Sequence, residues 1–232
     1  MPLLAARTWS RDSTWLEGLT TILRQMGEAS LPEAAREAIA GLMRASAAGL
    51  EQRADRILAG DLAGTSPREL PLVAAGLQVY WVQMASSLGE QAFGRSQETG
   101  VCPVCGSFPV AGVVRSSGNA QGLRYLCCSL CSSQWHLVRV TCSSCTSNGG
   151  ISYYNLEGSN GAVKAESCDD CGSYLKLLYP EKDSRMEAVA DDLATLALDL
   201  LMDGMGKMRA PNLLFHPGAT SPSADTKRAP GA

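Results

Sequence analysis

The sequence predicts an α+β chain: an N-terminal helical domain, two tandem four-cysteine ribbons, and a C-terminal helix that packs back on the helical domain. Three observations point there. Eight of the nine cysteines stand in CxxC pairs, Cys102/Cys105, Cys128/Cys131, Cys142/Cys145 and Cys168/Cys171, and the last two pairs repeat the first two at an offset of 40 residues. Capping-box patterns with helical apolar spacing precede the first cysteine and return after the last. The cysteine region between them is rich in β-forming residues.

In the helical part, Thr14 to Glu17 opens a segment carrying Trp15, Leu16, Leu19, Ile22, Leu23 and Met26 at helical spacing. Ser30 to Glu33, with Pro32 in the first turn, opens a longer helix that runs through Ile39, Leu42, Met43, Leu50, Ile57 and Leu58, weakened by Gly41 and Gly49. Ser66 to Glu69 starts a third helix that buries Leu70, Val73, Leu77, Tyr80, Trp81, Met84 and Leu88. Pro67 suits the first helical position, and Pro71 pushes the regular start a turn later.

The ribbons read as short strands at Val110 to Val114, Leu123 to Leu126, Trp135 to Val140, Ile151 to Leu156 and Tyr174 to Tyr179. The repeat extends beyond sulfur, because Ser107, Gly118, Leu123 and Arg124 recur as Ser147, Gly158, Val163 and Lys164. After Lys182, Ser184 to Glu187 caps a helix carrying Met186, Val189, Leu193, Leu196, Leu200, Leu201 and Met205, with Asp191, Asp192, Asp199 and Asp203 on its wet face. From Pro217 onward Pro, Ser, Thr and Ala dominate and predict a disordered tail. The resulting divisions are a helical domain over 1–100, ribbons over 101–140 and 141–180, a C-terminal helix over 181–216 and a tail over 217–232.

Composition narrows the function. The chain has 232 residues, 45% of them hydrophobic, and a net charge of −3. Between residues 101 and 178, Arg115, Arg124, Arg139, Lys164 and Lys176 face Glu157, Glu166, Asp169 and Asp170. Four thiolates around a divalent ion add about −2 per site, so the region becomes anionic and repels phosphates. Nucleic acid is therefore not the expected partner. The opening apolar run is too short for a secretory signal, and no stretch is long and apolar enough for membrane insertion, so a soluble cytoplasmic protein with reduced cysteines is expected.

A CxxC step folds two sulfurs onto one point, and two such knuckles, here with 22 residues between them, make a tetrahedron around an ion at ~2.3 Å. Four thiolates leave no position open for water or substrate, so the site is structural or electron-transferring rather than hydrolytic, and no catalytic residue is assigned. Zinc and iron both accept this ligand set, and spacing does not choose between them. Gly106 and Gly172 follow the second cysteine of two knuckles, where Ser132 and Thr146 stand in the other two. Cys127 breaks the repeat, since Ser167 takes its matching position, and reads as a small buried hydrophobe. His136 reads as a hydrogen-bonded core or surface residue, and His216 is the only other histidine. The stretch Gly204-Met-Gly206-Lys207 lacks phosphate-loop spacing and reads as a helix end.

Several stretches resemble the formate dehydrogenase accessory protein family, FdhE. They are Cys102-Pro-Val-Cys-Gly106, Leu123-Arg-Tyr-Leu-Cys-Cys-Ser-Leu-Cys131, Gln134-Trp-His-Leu-Val-Arg-Val140, Lys164-Ala-Glu-Ser-Cys-Asp-Asp-Cys171 and Tyr174 to Asp183, with Ala190-Asp-Asp-Leu-Ala194 and Pro211-Asn-Leu-Leu. The resemblance implies a cytoplasmic, non-enzymatic factor for producing active formate dehydrogenase, in contact with that enzyme's catalytic subunit. It also implies a helical part joined to two rubredoxin-like modules that bind two iron ions through the eight paired cysteines. The alternatives are a rubredoxin-type electron carrier and a zinc-ribbon scaffold or nucleic-acid-binding protein.

Overall fold

A computed structural model of the chain describes residues 2–62, 65–93, 100–117, 120–209 and 213. The helical part holds α1 (Thr14–Gly27), α2 (Glu33–Arg44), α3 (Ala47–Ala59) and α4 (Leu70–Leu88), followed by a 3-10 turn at Glu90–Phe93. The capping of α1 falls to Asp12, whose Oδ1 accepts from the Thr14 N–H at 2.9 Å, rather than to a Thr14–Glu17 box. The single long helix expected after Ser30 is two. Neither Gly41 nor Gly49 breaks it; Ala45 and Ser46 turn extended, and the Ser46 hydroxyl accepts from the Gly49 N–H at 3.2 Å to cap α3. The third begins at Leu70, one turn after Ser66, as Pro71 requires. In its middle Gly76 lets α1 come close: a Cβ there would sit 2.9 Å from the Leu19 Cβ.

The cysteine region forms one sheet. Its strands are β1 (Pro109–Ser117), β2 (Ala120–Cys128), β3 (Gln134–His136), β4 (Ile151–Tyr154), β5 (Val163–Cys168) and β6 (Ser173–Leu178), in the order β3-β2-β1-β6-β5-β4, with a short β7 (Met208–Arg209) beside β6. β5 and β7 carried no sequence expectation, and β3 ends at His136, four residues before the expected Val140. Within each ribbon neighbouring strands are antiparallel. The two ribbons meet head to tail through a parallel pairing of β1 with β6, Gly112 against Leu177 and Val113 against Leu178. Each ribbon thus keeps the same internal strand order, and the second continues the first across the sheet instead of facing it.

The C-terminal helix departs from expectation twice. It is two helices, α5 (Ala188–Ala194) and α6 (Leu196–Gly204), and the cap of α5 is the Glu187 carboxylate, which accepts from the Val189 and Ala190 N–H groups at 3.0 and 2.8 Å. It packs on the sheet, not on the helical domain: Ala188 sits among Val110, Val113 and Leu178, while Leu198 and Met202 pack on Ala165 and Tyr174. The physical reason lies in the aspartates expected to be wet. Asp192 and Asp199 are each 1% exposed. They close on Lys176, whose ammonium lies 2.5 Å from Asp199 Oδ2, and on Arg209, while the Tyr174 hydroxyl donates to Asp199 at 2.8 Å. Burying these charges together turns Leu200, Leu201 and Met205 outward to solvent.

The helices and the first ribbon share one core. Trp15, Leu19, Leu77 and Trp81 pack in the same cluster as Cys102, Cys105, Leu126, Leu130 and Trp135. The N-terminal residues reach this core too, since the Leu4 and Ala6 N–H groups donate to the carbonyls of Val104 and Cys105 at 3.0 and 2.9 Å. The expected tail over 217–232 and His216 lie outside the described residues.

Candidate metal centres

The structure brings the eight paired cysteines into two clusters, Cys102, Cys105, Cys128 and Cys131 in the first and Cys142, Cys145, Cys168 and Cys171 in the second, with the ligand atoms of each within 4.8 Å of one another. Sulfur separations are 3.5 Å for Cys102–Cys131 and 3.4 Å for Cys105–Cys128, then 3.6 Å for Cys142–Cys171 and 3.7 Å for Cys145–Cys168. A tetrahedral ion with ~2.3 Å bonds to sulfur needs edges of about 3.8 Å, so both clusters fit one metal ion each after a small expansion. Sulfur donors alone suit zinc or iron, and the geometry does not separate the two.

The local backbone explains why these sulfurs converge. Three of the four knuckles close with an N–H to C=O bond back to the first cysteine: Gly106 to Cys102 at 2.8 Å, Thr146 to Cys142 at 3.0 Å and Gly172 to Cys168 at 3.0 Å. The residue after the second cysteine then turns left-handed in all four knuckles, with φ of 79° at Gly106, 55° at Ser132, 62° at Thr146 and 71° at Gly172. Glycine does this without strain, whereas Ser132 and Thr146 adopt it against their preference. The turn aims N–H groups at sulfur, including Leu130 and Cys131 onto Cys128 at 3.4 Å and Ser144 onto Cys142 at 3.3 Å.

Two serines escaped the sequence reading. The Ser133 hydroxyl lies 3.2 Å from the Cys131 sulfur, and the Ser173 hydroxyl lies 2.9 Å from Cys171 and 3.5 Å from Cys142. They are 40 residues apart, so the repeat itself carried the signal. His136 stands edge-on to Tyr125 with ring centroids 5.8 Å apart and belongs to neither cluster. Cys127 is buried outside both, with its thiol pushed up to about 12 by burial and by the charge of Glu187.

Protons within each cluster are shared unevenly. Hydrogen bonds from Cys102 and Cys105 hold Cys131 far below the ordinary thiol value, while the same exchange with Cys105 drives Cys102 far above it. In the second cluster, burial works against the Cys142 thiolate, but N–H groups of Cys145 and Ser144 and the Ser173 hydroxyl bring it down to about 6. Each cluster therefore presents a thiolate to an arriving cation, and the remaining protons leave as the ion binds.

The two clusters differ in depth. Among the first four cysteines none exceeds 3% exposure. That cluster is walled by the N-terminal segment and by α4, from which the Gln78 side chain donates to the Ser129 carbonyl at 2.9 Å. In the second cluster Cys142 and Cys168 are buried, but Cys145 and Cys171 reach solvent.

The comparisons with known proteins agree with one another over nearly all of the chain. Family models match residues 1–98 (FdhE, N-terminal), 101–139 (FdhE, central domain) and 140–215 (FdhE, C-terminal domain). A protein FdhE homolog of Edwardsiella ictaluri is 46% identical over 219 residues, which is 94% of this chain and 70% of that protein. Protein FdhE of Escherichia coli O9:H4 is 42% identical with the same coverage. The crystal structure of the FdhE protein from Pseudomonas aeruginosa superposes with a TM-score of 0.84 at 37% identity, over 94% of this chain and 77% of that one. With all three segment models in chain order and relatives above 40% identity across nearly its full length, this chain belongs to the FdhE family.

Proposed function

We propose that the chain is a non-enzymatic accessory factor for the production of active formate dehydrogenase, working in the cytoplasm on that enzyme's catalytic subunit. Each tetracysteine cluster holds one ion, iron in preference to zinc. The observation that carries this reading is the pair of closed tetrathiol clusters in a chain of the FdhE family. Four sulfurs satisfy a tetrahedral ion, so neither centre offers a place for substrate.

Two alternatives are weaker. A nucleic-acid binder needs exposed cations, yet Arg124 and Lys176 are buried in ion pairs, leaving only Arg115, Arg139 and Lys164 in the ribbon region. A simple electron carrier needs its metal near the surface; Cys145 and Cys171 bring the second cluster there, whereas the first lies inside the core shared with the helices. Among the described residues no helix is long and apolar enough to cross a membrane.

For the partner surface we assign the cleft between α4 and the first ribbon, about 570 Å³ in volume and lined by Val82, Ser86, Phe93, Val104 and Trp135. The deciding experiment is capture of the formate dehydrogenase catalytic subunit by the full chain, before and after metal removal, with the cleft variant Ser86→Arg beside it. Capture that weakens on metal removal and in the variant supports the reading. No capture by the metal-loaded chain overturns it.

A further inference from the structure

The two clusters come from one repeated sequence, share one sheet and offer the same four sulfurs, yet their surroundings differ. The four cysteines of the first are at most 3% exposed. The Leu4 and Ala6 N–H groups bond to its first knuckle, α4 reaches its second, and the core of the helical domain closes over all four sulfurs. In the second, Cys145 and Cys171 are exposed. Among the described residues, the Lys207 ammonium sits 3.4 Å from the Cys168 carbonyl and 2.7 Å from Asp169, the Met208 N–H donates to the Gly172 carbonyl at 2.9 Å, and Gly100 packs against the Ser143 carbonyl.

Depth decides how an ion leaves a four-sulfur site. A tetrahedral thiolate centre exchanges when an incoming donor reaches the ion as one of the resident sulfurs departs, so access for the incoming atom controls the rate. Around the first cluster two clefts of about 560 and 570 Å³ run up to Cys105 and Cys131, but no cysteine there is more than 3% exposed, so an incoming donor must displace packed side chains. At the second, Cys145 and Cys171 can swing into water without disturbing the core.

We propose that the second cluster is an exchangeable metal site, passing its ion to or from an external sulfur donor, while the first keeps its ion as a fixed part of the fold. This rests on the reading that each cluster holds one ion. The first step would be a ligand substitution, in which a bond between the ion and the incoming thiolate forms as the bond to Cys145 or Cys171 breaks, and release of the ion would need the same substitution at the other three cysteines. The proton shed by the incoming thiol is balanced by the one taken up by the departing cysteine, and the oxidation state of the ion is unchanged. The class of ligand is a soluble low-molecular-weight thiol or an exposed protein thiolate.

The test uses the full chain loaded with zinc, whose content is measured first, then mixed with an excess of the metallochromic chelator 4-(2-pyridylazo)resorcinol. Release should occur in two phases of equal amplitude with rates separated by at least about tenfold, as expected when one site needs packed side chains displaced and the other does not. Glutathione should accelerate only the fast phase. Alkylation by N-ethylmaleimide during the fast phase, mapped by peptide mass, should modify Cys145 and Cys171 while leaving Cys102, Cys105, Cys128 and Cys131 untouched. The variant Cys145→Ser should lose the fast phase and retain one slowly released ion. Two ions leaving in a single phase, or alkylation of the first cluster in the fast phase, overturns the proposal alone. Fewer than two ions in the loaded chain overturns the two-centre reading and the proposal with it.

Discussion

Arg124 of β2 and Glu166 of β5, one from each ribbon, form a buried ion pair with side chains 0% and 4% exposed. The guanidinium also donates to the carbonyls of Val138 and Thr141, at 2.7 and 2.6 Å, in the segment that links the ribbons. One side chain therefore ties the first ribbon, the linker and the second ribbon together. Burial lifts the Glu166 carboxyl above its ordinary value, although Arg124 and Tyr153 pull the other way.

Removing one partner leaves the other charged and dry. Arg124→Ala and Glu166→Ala should each destabilise the chain by about 3–5 kcal/mol, and the double variant Arg124→Met/Glu166→Met should cost less than either. Urea unfolding followed by circular dichroism checks the order. A double variant as unstable as the worse single one would place the cost in the lost linker bonds instead of the stranded charge.

The Tyr153 hydroxyl donates to Glu166 at 3.0 Å, and its own titration is pushed up to about 12 by burial and by that carboxylate. A folded value above the unfolded value of 10.0 means the contribution is present below pH 10 and is lost as pH rises through about 12. Tyr153→Phe should cost about 1 kcal/mol at neutral pH, as one lost hydrogen bond does. Its stability should then fall less steeply than that of the parent chain across the alkaline window. Parallel alkaline curves for the two proteins would contradict the assignment.

Val140 sits in the linker with φ at 62° and is 49% exposed. A left-handed conformation costs a side-chain-bearing residue roughly 1–2 kcal/mol, and glycine gives back roughly 0.5–1 in backbone entropy. Val140→Gly should therefore stabilise the chain by about 0.5–1 kcal/mol, read as a rise in the urea midpoint. Val140→Ala, which keeps the Cβ, should not.

Much of this was legible because it is local. The 40-residue repeat placed all eight clustered sulfurs, and the apolar spacing placed α1 and α4, with Pro71 correctly delaying α4, although it joined α2 to α3 and α5 to α6. The other failures were long-range. The amphipathic pattern after Lys182 assigned Asp192 and Asp199 to water, because a buried Lys176 in β6 and Arg209 in β7 cannot be seen as their partners without the fold. The same blindness sent α5 and α6 to the wrong surface. The β1–β6 junction rests on two backbone pairings, Gly112 with Leu177 and Val113 with Leu178, which leave no motif. Nor does spacing reveal burial, so two clusters with identical ligands read as equivalent when one is buried and the other reaches solvent.

The shared core changes what metal loss should do. Taken as separate modules, the ribbons would melt first and leave the helices intact. In the structure Cys102, Cys105, Cys128 and Cys131 belong to the same core cluster as Trp15, Leu77 and Trp81, so a first cluster without its ion leaves uncompensated polar sulfur groups inside the helical core. Cys102→Ser/Cys105→Ser should therefore destabilise helices and ribbons together, by on the order of 5 kcal/mol, since ion binding and folding are coupled there. The matching change in the second ribbon, Cys142→Ser/Cys145→Ser, should leave the helical signal at 222 nm and its melting midpoint nearly unchanged, because that knuckle lies outside the helical cluster. Far-ultraviolet circular dichroism beside tryptophan fluorescence separates the two outcomes, as Trp15 and Trp81 report the helical core while the β signal reports the sheet. Equal loss of helix in both double variants would mean that the sheet, through its β1–β6 junction, couples the second centre to the helices as strongly as the shared core couples the first.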